Sequence, residues 1–157
     1  MNIDQQIKEL IANAPSDGKT PTLVKAIAPA LKAIAEELNH TEYFVIKTSD
    51  DGWVVTTLKH QKSPSVEKKV IYAYPTLADA KNSSYRTEHT NVLAIPIPVT
   101  HILFQMLAMK TVNSTVFFEQ CSPSPLNVEV SKQRLLDAIK NAYENRNPPS
   151  GNESQLA

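Results

Sequence analysis

Two runs of β-forming residues, 43–48 and 53–58, stand on either side of Ser49-Asp50-Asp51-Gly52. Tyr43, Phe44, Val45 and Ile46 lead the first, and Trp53, Val54 and Val55 lead the second. An acidic pair followed by glycine between such runs is a strong hairpin signal, because glycine accepts a positive φ. It fixes the centre of the chain as antiparallel sheet, and every other element has to be arranged around it.

Before the hairpin the apolar period is helical. Asn2 and Gln5 form a capping-box pair ahead of a helix to residue 13, with Ile3, Ile7, Leu10 and Ile11 on one face. Pro15, Asp17 and Gly18 stop it. Residues 21–38 predict a second helix, with Thr20 as its N-cap and Pro21 in the first turn, where a missing N–H costs nothing. Pro29 predicts a kink there, or two abutting short helices.

After the hairpin, residues 59–65 read as a loop and 67–74 as a strand ended by Pro75. Thr76 caps a helical turn or two, and 82–91 is a polar loop. Residues 92–99 form an apolar strand carrying Pro96 and Pro98. Two prolines at alternate positions cannot both donate to a ladder, so this strand belongs at an edge or leaves the sheet. Thr100 is expected to cap a helix over 102–110 that is apolar nearly all round and therefore buried on several sides. A strand at 114–119, a linker at 122–125, a short extended stretch at 127–130 and a final helix from Ser131 to about 145 complete the order. The pattern predicts an α+β fold with an antiparallel or mixed sheet of about five strands. Two N-terminal helices, one buried central helix and a C-terminal helix accompany the sheet. One domain is expected over 1–146, made of a helical segment, 1–40, and a sheet-containing body, 41–146. The 147–157 tail has nothing to bury and should be disordered.

Composition narrows the function classes. Sixteen basic residues balance sixteen acidic ones, and the balance holds within 1–40 and 91–157 as well. Counterion-release binding to nucleic acid needs a basic excess that no segment supplies. Near-zero net charge removes a brake on self-association, which leaves a homo-oligomer open. Cys121 is the only cysteine, so an internal disulfide and a cysteine-based metal cluster are excluded. The first residues lack a basic and apolar leader, and no apolar run approaches the ~20 residues of a membrane span. The expected address is the cytoplasm, without membrane association.

The three glycines stand at 18, 52 and 151, so the common phosphate-binding loops are absent and no cofactor is expected. His40, His60, His89 and His101 show none of the spacings that place two metal ligands on one helix face. In the 82–91 loop, Arg86, Glu88 and His89 form the most reactive-looking group, a base with an orienting carboxylate. Adjacent residues rarely point at each other, so a solvated loop is the better account. Lys68 and Lys69 gather with Lys59, His60 and Lys62 near a sheet turn and would suit an acidic partner. Lysines that blunt a sheet edge against aggregation are the plainer explanation. Cys121 has no nucleophile signature around it.

From 43 to 143 the order of elements resembles the SseB family, meaning the cytoplasmic serine-sensitivity protein and its relatives. The likeness rests on the strand–turn–strand with Asp51-Gly52, the turn Thr76-Leu77-Ala78-Asp79-Ala80, the strand leading into Ile102–Met109, and Val116-Phe117-Phe118-Glu119. It implies a compact α+β module used for binding or as an accessory unit. Relatives tend to carry Asn-Pro-Gly after the last strand, where this chain reads Glu119-Gln120-Cys121-Ser122-Pro123. The resemblance carries no functional residue over.

Together these observations favour a non-catalytic module that binds another protein through the sheet face or the N-terminal helices. The alternative is a small-molecule binder or enzyme with a pocket between the 82–91 loop, His101 and the sheet. An exposed apolar patch distinguishes the first, and a concave site gathering Arg86, Glu88, His89 or His101 the second.

Overall fold

A computed structural model describes residues 2–50, 52–59, 62–63, 65–83, 91–121 and 123–146. The expected disorder of 147–157 and most of the 82–91 loop lie outside them. The fold is α+β, with a mixed sheet of six strands and five helices among the described residues. Helices α1 (Ile3–Ala12) and α2 (Thr20–Glu36) precede β1 (Glu42–Thr48), β2 (Thr56–Lys59) and β3 (Glu67–Tyr74). Then come α3 (Leu77–Lys81), β4 (Val92–Pro98), α4 (Val99–Ala108), β5 (Ser114–Gln120), β6 (Leu126–Ser131) and α5 (Lys132–Arg146).

The main sheet runs β4-β1-β3-β5-β6, and β2 pairs with β3 off this path. All neighbours are antiparallel except β3 and β5, which are parallel and joined by a crossover through α3, β4 and α4. β4 lies at an edge, as its two prolines require, with Pro96 opposite Phe44 and Pro98 opposite Glu42.

The predicted turn at 49–52 is present, but the predicted hairpin is cut short at Val54, whose N–H donates to the Ile46 carbonyl. Thr48 and Gly52 exchange backbone and hydroxyl bonds, and Lys47 makes a single bridge to Trp53. The chain then leaves β1, and β2 starts only at Thr56, pairing with β3 through Thr56↔Val70 to Lys59↔Glu67. Both β1 and β2 are therefore antiparallel partners of β3, at its two ends. Gly52 does not have the positive φ that the turn signal implies; among the described glycines only Gly18, at φ 78°, does. A Cβ at Gly52 would stand 2.9 Å from the Thr48 hydroxyl, so a side chain there would have to displace that hydroxyl.

Four helix starts and one proline test the sequence reading. The capping box at Asn2 and Gln5 forms as expected, and Thr76 caps α3. α2 begins with Thr20, yet its cap is the Asp17 carboxylate, which accepts from the Lys19 and Thr20 N–H groups and from the Thr20 hydroxyl. Those bonds hold the Asp17 pKa down at about 2. α2 runs unbroken through Pro29, which lies on the exposed face, where water can meet the carbonyl it leaves unpaired. α4 starts at Val99, earlier than predicted, and Thr100 lies inside it instead of capping it.

Alternation along the strands assigns the two sheet faces. Tyr43, Val45, Ile71, Ala73, Phe117 and Val130 face α1, α2, α4 and α5 and form the main core with Leu31, Leu103, Met106 and Leu135. The valine, leucine, isoleucine, methionine and phenylalanine side chains among these contribute about 1.5–3 kcal/mol each on burial. Ile46, Ala80 and Val92 anchor a smaller cluster on the opposite face, beside α3. No helix among the described residues is long and apolar enough to cross a membrane.

Candidate functional site

The residues singled out from sequence do not form one site among the described residues. Arg86, Glu88 and His89 lie outside those residues. Ser83, just before them, closes α3 with a hydroxyl bond to the Ala80 carbonyl, and Ala80 packs on the smaller-cluster face. His101 is on the other side of the sheet, in the first turn of α4, where its Nε2 donates to the Gln6 carbonyl of α1 at 3.1 Å. Lys68 is ion-paired with Glu129, which also accepts from the Ser114 hydroxyl at 2.6 Å. Those two bonds hold the Glu129 carboxyl below its usual range. The Lys69 backbone N–H donates to the Asn113 side chain at 2.7 Å, and Lys59 lies 3.9 Å from Glu67. The lysines by this turn thus include cross-strand partners of carboxylates. Burial pushes the half-buried Cys121 thiol up, with Asp79 adding to the effect, which keeps it protonated and unreactive.

Two polar clusters are better built than any of these. Gln6 is almost fully buried on α1. Its Oε1 accepts from the Thr100 N–H at 3.1 Å and the Thr100 hydroxyl at 2.8 Å, and its Nε2 donates to the Thr41 carbonyl at 2.8 Å. One side chain therefore caps α4 and ties α1 to the start of β1. The sequence carries a signal for it: Gln6 sits three residues after Ile3 and four before Leu10, on the apolar stripe, where a polar residue needs partners.

The second cluster surrounds Glu119 at the end of β5. Its carboxylate accepts from the Tyr43 hydroxyl at 2.9 Å and the Asn39 N–H at 3.2 Å, and the His40 ring nitrogen lies 3.7 Å away. Burial, then Glu119 itself, raises the Tyr43 pKa well above the usual phenol value, so the hydroxyl stays a proton donor at neutral pH. Tyr43 packs edge-on against both His40 and Phe117. The cluster joins β5 to the α2–β1 connection, and its groups are consumed by one another. Glu119 shares strand parity with Phe117, so an inward-facing carboxylate was readable from sequence.

Polar groups in both clusters bond inward. The helical layer also leaves an apolar surface open. Leu23 and Ile27 of α2, Phe104 and Leu107 of α4, and Leu136 and Ile139 of α5 wall a trough of about 350 Å³ on the helical layer. Leu23 is 54% and Leu136 45% exposed on its banks. The spacing 23/27 and 136/139 is the helical period, so each bank is one helix edge turned toward solvent. On the opposite side of the sheet, Phe118 stacks between Tyr72 and Tyr74, at 5.7 and 5.3 Å between ring centres. These rings are only partly buried.

Among the described residues, no three histidine, cysteine, aspartate or glutamate side chains are grouped to hold a metal ion. No protein-family model matches the chain, and no curated protein and no solved structure is detectably similar to it.

Proposed function

We propose that the chain is a non-catalytic, cytoplasmic protein-binding module, and that the trough between α2, α4 and α5 is its docking surface. The observation that carries this reading is the pair of half-exposed leucines, Leu23 and Leu136, on the banks of a depression walled by apolar side chains. Apolar side chains held in water around a concave surface gain by being covered, and an inserted partner side chain gains the most at such a place. The rival, a ligand pocket using His101, has less support, because the His101 ring is engaged with the Gln6 carbonyl. The resemblance of 43–143 to the SseB family points the same way, toward an accessory unit.

Replacement of Leu23 or Leu136 by glutamate tests the proposal. A partner recovered with the intact chain should be lost with either variant, while each variant melts within a few degrees of the parent. A partner retained by both variants refutes the trough as its dock.

A further inference from the structure

Three depressions adjoin one another on the helical layer, the first two beside α4. The first, of about 210 Å³, is walled by His101 and Phe104 of α4, by Glu9 of α1 and by Asn13 just after it. Phe104 also walls the trough. Leu136 of the trough in turn walls a third depression, of about 270 Å³, together with Lys110, Val112 and Lys132. The shared walls order the three by residue number, from 101 to 112. They therefore adjoin as one furrow, and its part on α4, 101–108, is about 10 Å long.

The furrow is polar at its ends and apolar in the middle, and the ends differ in sign. Glu9 is the only carboxylate in the first depression. Lys110 and Lys132 supply charge to the third, which has no acidic residue in its wall. Among the described residues neither lysine has a carboxylate within ion-pair distance. Lys132 Nζ donates to the Met109 carbonyl. α5 also starts at Lys132, so its positive pole lies at this end.

The apolar middle restricts what conformation can lie in it. An extended peptide would bring backbone N–H and C=O groups against side chains that offer no partners, and each group left unpaired costs free energy. A helix satisfies its own backbone and presents side chains only. We infer that the furrow takes an amphipathic helix of a partner protein, lying along α4 with acidic side chains over Lys110 and Lys132. The inference rests on the reading of the trough as a docking surface. It specifies two to three turns, apolar anchors at i, i+3 or i+4, and i+7, and Asp or Glu within one turn of the end over Lys110.

The test is selection from a display library of helical peptides of about 15 residues against the full chain, with Leu23→Glu as the counter-target. Leu136→Glu replaces it if Leu23→Glu does not fold by circular dichroism. An environment-sensitive apolar dye, 8-anilinonaphthalene-1-sulfonate, is titrated in parallel. The expected result is enriched peptides with the stated apolar spacing and an acidic end. Their affinity should fall about tenfold with Lys110→Glu and recover when the peptide's acidic residues are exchanged for lysine. Enriched peptides that lack an acidic end, or that bind Lys110→Glu equally well, overturn the inference. So does a dimer in sedimentation that Leu23→Glu dissociates, since a second copy then fills the furrow. Dye binding lost in Leu23→Glu with no peptide enriched overturns the helix and leaves the trough standing. Dye binding unchanged in Leu23→Glu, again with no peptide enriched, removes both.

Discussion

The two faces of the sheet are built from the same kinds of residue and treated differently by the rest of the chain. Tyr43, Val45, Ile71 and Phe117 on one face are almost completely buried under four helices. Phe44, Tyr72, Tyr74 and Phe118 on the other are only partly buried, with α3 as the helix beside the smaller cluster. Adjacent residues, Phe117 and Phe118, thus have opposite circumstances. Apolar character alone does not tell a strand which face will be covered; the supply of helices does. Four helices pack on one side because α1, α2, α4 and α5 each carry a stripe that needs a surface.

The sharpest way to break this comparison is to truncate both phenylalanines. Phe117→Ala should cost about 3–5 kcal/mol, the range for a fully buried aromatic, measured by denaturant unfolding. A cost near that of Phe118→Ala would mean that the two faces are equally important to stability. Gln6→Ala comes next on the covered side. It leaves the buried Thr100 N–H and hydroxyl without an acceptor, so about 2 kcal/mol should be lost. Phe118→Ala removes two stacked contacts on a face still partly wet, and a loss of about 1 kcal/mol is expected.

Glu129→Gln sharpens the contrast at the weak end. The folded carboxyl is held below its ordinary value by Lys68 and Ser114. A depressed folded pKa gives stability that is present above the unfolded carboxyl's pKa and is lost as pH falls through the folded one. The pair is largely exposed, so the glutamine variant should melt slightly lower at pH 7, and the gap should close in acid. A gap that widens in acid would reverse the assignment. Leu136→Glu should be the smallest of all, within about 0.5 kcal/mol of the parent, because the side chain already meets water.

Much of the fold was legible because short-range physics dictates it. Asn2 and Thr76 cap helices by their own side chains, and Pro96 with Pro98 forces an edge wherever the strand lies. The errors have a common cause in long-range competition. Thr100 reads as a cap until Gln6, far away in sequence, takes over that role. Residues 53–58 read as the mate of β1 until residues 67–70 offer Thr56 through Lys59 a ladder. The trough was less readable than the fold. Leu23 and Leu136 belong to ordinary apolar stripes, and only the packing of three helices leaves them uncovered. Of the residues singled out from sequence, Lys68 and Lys69 sit at the start of β3 and His101 against α1, for no local rule ties a polar loop to a helix start.

The Gln6–Thr100 bond spans 94 positions, and this has a consequence for biosynthesis. A ribosome adding about 5–20 residues each second needs roughly 5–20 s to make the stretch between them. During that interval α1 has emerged while the seat that receives its glutamine does not yet exist. Until Thr100 arrives the Gln6 amide oxygen keeps water as its partner, so the tie between α1 and α4 forms only late in synthesis.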